Sequence, residues 1–145
     1  MTSISKTRLT ATEYLAIERK ADTRSEFFAG EMFAMSGVSR EHILISVNLN
    51  SALSRQLKDR PCEVDSTDMR VRVPSGLYTY PDVVVVCGNP KFEDDTVAIL
   101  LNPLVLIEVL SVSTRRLRSR NEVQALSADI ITPRICNGRS IGRSN

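Results

Sequence analysis

The sequence has little from which to build a structural zinc site. Its 145 residues include one histidine and three cysteines. Cys62, Cys87 and Cys136 stand far apart, and no two share a C-x-x-C spacing. Tetrahedral zinc draws its ligands from such pairs, so that class is set aside and the cysteines are read as buried or idle thiols. No apolar run approaches the ~20 residues that span a bilayer. The first ten residues carry two basic side chains with no apolar core behind them, so no secretory signal is read there. The expectation is a cytoplasmic protein with no membrane partner. At 42% hydrophobic and 25% charged, the chain has the composition of one ordinary globular domain.

Charge is uneven. Residues 1–114 hold 12 basic and 15 acidic side chains, whereas residues 115–145 hold 7 basic and 2 acidic. A basic tail of this kind is one form of nucleic-acid arm.

Thr10 and Glu13 form a capping-box pattern and predict a short helix from about Ala11 to Lys20, with Tyr14, Leu15 and Ile17 on its apolar side. Glu26 to Met35 reads as a β-hairpin turning at Gly30, where a positive φ costs little. Ser39 is an N-cap for a longer helix, about Arg40 to Lys58. Ile45, Leu49, Leu53 and Leu57 recur every four residues on it and predict a core-facing stripe. Pro61 follows its end. Strands come next: Cys62–Val64, then Met69–Val73, which alternates apolar and basic residues. Asp82–Cys87 and Leu104–Leu110 are β-branched or aliphatic runs that predict strands buried on both faces. The expected fold class is α/β, tending to α+β, with a mixed central sheet and flanking helices.

Two carboxylates stand out. Glu108 lies inside an apolar strand, and Asp82 opens the other. A lone buried carboxylate costs several kcal/mol unless something neutralises it. If the strands are neighbours, both groups converge at one end of the sheet, and converging carboxylate oxygens suit Mg²⁺. The alternative is that Glu108 pairs with Arg70 or Arg72 and that Asp82 simply starts a strand after Pro81. Spacing alone leaves both open.

Four separated segments carry a resemblance. Tyr80-Pro81-Asp82-Val83-Val84-Val85 and Ile107-Glu108-Val109-Leu110-Ser111 resemble the Uma-type restriction endonuclease family of the PD-(D/E)XK nuclease superfamily. Arg24-Ser25-Glu26-Phe27 with Gly30-Glu31-Met32 is similar to its N-terminal motif, and Asp68-Met69-Arg70-Val71 to its strand before the PD. The likeness covers roughly residues 9–114 in the family's order. It implies a restriction-endonuclease-like core, DNA as substrate, hydrolysis of phosphodiesters, and Mg²⁺ or Mn²⁺ held by Asp82 and Glu108. It also implies an auxiliary catalytic role for Glu26, whose other reading is a solvated helix-end acid. His42 on the second helix is a further candidate, its other reading being a surface or capping group. Related nucleases often act as dimers, so a homodimer is compatible with the resemblance.

The pattern lacks its lysine. The position two residues after Glu108 is Leu110, where a cation would stabilise the attacking hydroxide or the pentavalent phosphate. The family likeness places the lysine instead in a Tyr-Asp-Arg-Gly-x-Lys-Phe segment that opens the next helix. Here Thr114 is followed by Arg115-Arg116-Leu117-Arg118. Synonymous codons for residues 115–145 exist that, after deletion of their first base, read Asp-Ala-Tyr-Asp-Arg-Gly-Thr-Lys-Phe-Lys-His-Tyr-Arg-Gln-Ile-Ser-Ser-Leu-Arg-Glu-Tyr-Val. The expectation is a one-base insertion after the Thr114 codon. It divides the chain into an incomplete nuclease-like domain, 1–114, and a non-family, poorly ordered tail, 115–145. The tail shows no strand periodicity after about Ala128. Loss of the covering helix is expected to leave strands such as Asp82–Cys87 with exposed apolar surface and unpaired edges, and to leave this copy with little or no activity. Two other readings stand beside this one. The first is a non-enzymatic nucleic-acid-binding module gripping phosphates through the Arg-rich tail. The second is a structural or toxin-like interaction protein in which the acidic pair is incidental.

Overall fold

A computed structural model describes residues 8–35, 37–94, 96, 98–110 and 134–136. The first helix, α1 (Ala11–Glu18), starts at the expected capping box. The Thr10 hydroxyl accepts the Glu13 amide, and the Glu13 carboxylate accepts the Thr10 amide at 2.7 Å. It ends two residues before the expected Lys20. Tyr14 is fully buried, but Ile17 is exposed and Glu18 is buried in its place. The helix therefore lies on the sheet through its Tyr14–Glu18 edge, one i, i+4 step, rather than through Ile17.

Strands β1 (Ser25–Phe28) and β2 (Glu31–Ala34) form the expected hairpin. Ala29 and Gly30 both have positive φ, 50° and 86°, as a two-residue turn matching the strand twist requires. Gly30 is needed for a second reason: a Cβ there would meet the Arg8 side chain at 2.7 Å.

Helix α2 (Arg40–Gln56) starts at Ser39, whose hydroxyl accepts the His42 amide at 3.2 Å. Ile45, Leu49, Leu53 and Leu57 are half-buried, as their spacing requires. The strands that follow are β3 (Cys62–Ser66), β4 (Arg70–Arg72), β5 (Tyr78–Thr79), β6 (Val83–Cys87), β7 (Ile99–Leu100), β8 (Val105–Leu110) and β9 (Arg134–Cys136).

These strands form two sheets. One has the order β2-β1-β5-β4-β7, the other β3-β6-β8-β9. Both are mixed, because β4 runs parallel to β7 and β8 runs parallel to β9. Helix α1 packs on β1, and α2 packs on β3, β6 and β8. One core cluster, with Val71, Val73, Val84, Val86, Leu100 and Leu106, bridges the two sheets. A second gathers Tyr14, Phe27, Tyr78 and Ile99 under α1.

Three expectations change. Cys62 and Cys87 face each other across β3 and β6 and are joined by a disulfide, with their Cα atoms 4.0 Å apart. They are not idle thiols, and the pairing depends on a strand register that spacing in sequence does not reveal. Second, β6 exposes no apolar face. Val83 to Val86 are all buried, and the strand is paired on both edges, by β3 and β8. Exposed apolar side chains lie elsewhere, three of them on α2 at Ile43, Leu44 and Val47. Third, residues 134–136 pair with β8 although the tail has no strand pattern; backbone hydrogen bonds need no side-chain periodicity. Apart from these three residues, the expected non-family tail lies outside the described residues.

All three tyrosines of the chain, Tyr14, Tyr78 and Tyr80, are buried. Burial raises the phenol pKa of each above its ordinary 10.0. A raised native pKa contributes stability below the unfolded value and loses it as pH climbs through the native one. Alkaline titration should therefore show no native tyrosinate near pH 10. Ionisation and loss of circular dichroism should coincide in one transition above it. Tyrosinate appearing near pH 10 in the folded chain would contradict this packing.

Candidate functional site

Strands β6 and β8 run antiparallel, with Val83 opposite Ile107 and Val84 opposite Leu106. Continuing that register by one residue puts Asp82 opposite Glu108, and directly opposed residues share a sheet face. The two residues, 26 positions apart in sequence, thus lie side by side at the start of β6. Both residues are buried, with 8% and 9% of their surface exposed.

Asp82 is held firmly. Its Oδ2 accepts the Val109 amide at 2.7 Å and lies 3.2 Å from Nε2 of His42. His42 is itself buried and sits in the first turn of α2, where the Ser39 cap fixes the backbone. The contact of His42 with Asp82 is non-local and exists only because α2 lies across β6.

The peptide before Asp82 is fixed by a buried polar relay. Arg70 Nε donates to the Tyr80 hydroxyl at 2.7 Å, and that hydroxyl donates to Glu18 at 3.0 Å. Glu18 also accepts the Ser25 amide at 2.8 Å. The relay ties α1, β1 and β4 to the start of β6. The arginines considered as partners of Glu108 lie on β4, in the other sheet; Arg70 serves this relay, and Arg72 pairs with Glu93 at 2.8 Å.

Glu26 takes a different place. It is a buried β1 residue, not a solvated helix-end acid, and its carboxylate accepts the Thr79 hydroxyl.

A groove of about 720 Å³ opens beside Asp82, between α2 and the end of β3. His42 and Asp82 share its wall with Met35, Val38, Ile43 and Val47; Glu26 and Glu108 do not line it. Asp65, also on this wall, has its carboxyl pushed above the usual carboxylate range by burial and by nearby Glu63.

Among the described residues no group of three or more His, Cys, Asp or Glu could enclose a metal ion. That excludes a dedicated all-protein cage within them. Mg²⁺ does not need one: it is bound by one or two carboxylates, with water and phosphate oxygens completing the octahedron. The Asp82–Glu108 pair offers hard oxygen donors of that kind, so the donor set fits.

Comparison with known proteins agrees with this architecture. The model of the Uma2 family, described as "Putative restriction endonuclease", matches residues 11–125. The uncharacterized protein sll1609 of Synechocystis sp. (strain ATCC 27184 / PCC 6803 / Kazusa) is 41% identical over 106 residues, covering 72% of this chain and 60% of that protein. The uncharacterized protein slr1290 of the same organism is 35% identical over 108 residues, 74% of this chain and 56% of the other. The chain thus spans less than two thirds of the length of these curated relatives. The crystal structure of a "putative nuclease belonging to DUF820" from Anabaena variabilis ATCC 29413 superposes with a TM-score of 0.62 at 21% identity. The match covers 80% of this chain and 64% of that one, and it shares the fold. With the family match running through both helices and the Asp82 and Glu108 strands, this chain belongs to the Uma2 restriction endonuclease family.

Proposed function

We propose that the fold is that of a metal-dependent endonuclease hydrolysing DNA phosphodiesters, and that this copy is impaired. The observation that carries the reading is the β6–β8 register, which sets Asp82 opposite Glu108, with Asp82 on the wall of the groove. Asp82 and Glu108 would hold Mg²⁺ or Mn²⁺. When bound, such an ion polarises the phosphodiester and makes hydroxide available near neutral pH. The Val109 amide and His42 fix the Asp82 carboxylate in one orientation, as partners of metal-ligating carboxylates do. The segment after β8 supplies no family lysine, so the developing charge on the phosphate lacks its cation.

Calorimetric titration with Mn²⁺ tests the site without relying on turnover. The intact chain should bind, and Asp82→Ala and Glu108→Ala should each abolish binding. His42→Ala should weaken it by about 10- to 100-fold, the usual cost of removing a residue that orients a ligand. A folded chain that binds neither Mn²⁺ nor Mg²⁺ would remove the nuclease reading and favour an interaction protein. DNA binding that persists without divalent metal and collapses on removal of residues 115–145 would favour the nucleic-acid-binding module. Strong Mg²⁺-dependent cleavage by the chain as it stands, lost in Asp82→Ala, would refute the impairment.

A further inference from the structure

The groove beside Asp82 is poorly suited to an intact duplex. Among the described residues Arg24 is the one cation lining it, and it already serves Asp68 and the Thr67 carbonyl. Asp65 and Asp82 place two carboxylates on the same wall. A protein gripping duplex DNA neutralises a row of phosphates with lysine and arginine, and among the described residues no such row lines this groove.

The walls suit something flatter and less charged. Met35, Val38, Ile43 and Val47 present apolar surface, and all four are more than a third exposed. Ser46, Asn50, Ser51, Ser66 and Thr67 add neutral hydrogen-bonding groups. The Asn50 amide makes only long contacts, at 3.5 Å to the Asp65 carbonyl and 3.4 Å from the Ser54 hydroxyl, so it is lightly held. A cavity of about 720 Å³ falls in the ordinary range for small-ligand sites, ~300–1,000 Å³.

We infer that this groove receives an unstacked nucleotide, from a single strand or an opened duplex end, with its base against Met35, Val38, Ile43 and Val47 and its edge toward Asn50. The inference rests on the nuclease reading for the position of the phosphate, which lies at Asp82. Burial of a base face against these aliphatic side chains removes apolar surface from water whatever the base, while a side-chain amide reads an edge.

Fluorescence anisotropy with the full chain tests this. The probes are a labelled eight-nucleotide single strand and the duplex of the same sequence, with Ca²⁺ in place of Mg²⁺ so that neither is cut. The single strand should bind about 10-fold tighter than the duplex, the scale of one base packed on a protein surface. The double variant Ile43→Ser/Val47→Ser should lose that preference while keeping its melting temperature, because both side chains are exposed. Asn50→Ala should leave the preference for single strands and alter the ranking among homopolymers. Equal or tighter duplex binding, or a double variant with unchanged single-strand affinity, overturns the inference. Those results leave the nuclease reading in place as long as Mn²⁺ still binds in an Asp82-dependent way. Loss of that dependence is the separate failure of the nuclease reading.

Discussion

Replacing residues 115 onward with the shifted-frame peptide is expected to raise Mg²⁺-dependent DNA cleavage by about 100-fold or more. That is the scale of one preorganised charged or hydrogen-bonding group at a developing anion. The replacement restores a Tyr-Asp-Arg-Gly-Thr-Lys-Phe segment directly after the strand that carries Glu108. It adds a cation where Leu110 supplies none, and leaves Asp82, His42 and β6 untouched. Plasmid relaxation measures the gain. The control is the same replacement with its Gly-Thr-Lys lysine changed to Met, which should return cleavage to the level of the present chain. Equal activity in the two replacements would show that the lysine is not the missing part. The nucleotide sequence around codons 113–118 gives an independent check: a coding strand that does not shift into this peptide removes the insertion hypothesis.

Tyr14→Ala is expected to cost about 3–5 kcal/mol, the range for deleting a large buried aromatic side chain. Against a total of about 5–15 kcal/mol for a domain, that approaches unfolding. Tyr14 has no exposed surface, stacks on Phe27 at 4.8 Å and contacts the Tyr78 ring at a tilt, 5.5 Å between centres. Its hydroxyl donates to the Ser25 carbonyl at 2.8 Å, and the Arg70 guanidinium lies 5.8 Å from its ring centre. Tyr14→Phe keeps the ring and loses only the hydrogen bond, so it should cost about 1 kcal/mol. Urea denaturation followed by circular dichroism separates the two. A Tyr14→Ala chain nearly as stable as Tyr14→Phe would mean that α1 contributes little to the fold. The loss would also reach the functional site, because the same helix carries Glu18 into the relay that fixes Tyr80, two residues before Asp82.

The sequence by itself determined the local elements and singled out two carboxylates set in apolar strands. The capping box, the positive-φ hairpin turn and the Ser39 cap are each written within a few consecutive residues, and each formed where expected. The β6 and β8 runs are apolar enough to specify burial without alternation, and a carboxylate inside such a run marks itself. The tertiary structure decided what is non-local. Strand register set Asp82 opposite Glu108, joined Cys62 to Cys87 and divided the strands into two sheets. Helix placement brought His42 to Asp82 and turned Ile43, Leu44 and Val47 outward. The hairpin took Glu26 to Thr79 rather than to the groove. The physical reason is the same throughout. A cap or turn is favoured by the few residues that form it, whereas a register is chosen by the summed burial of strands tens of residues apart. Asp82 and Glu108 could be picked out as carboxylates in apolar surroundings, but their juxtaposition depends on which strand lies beside which.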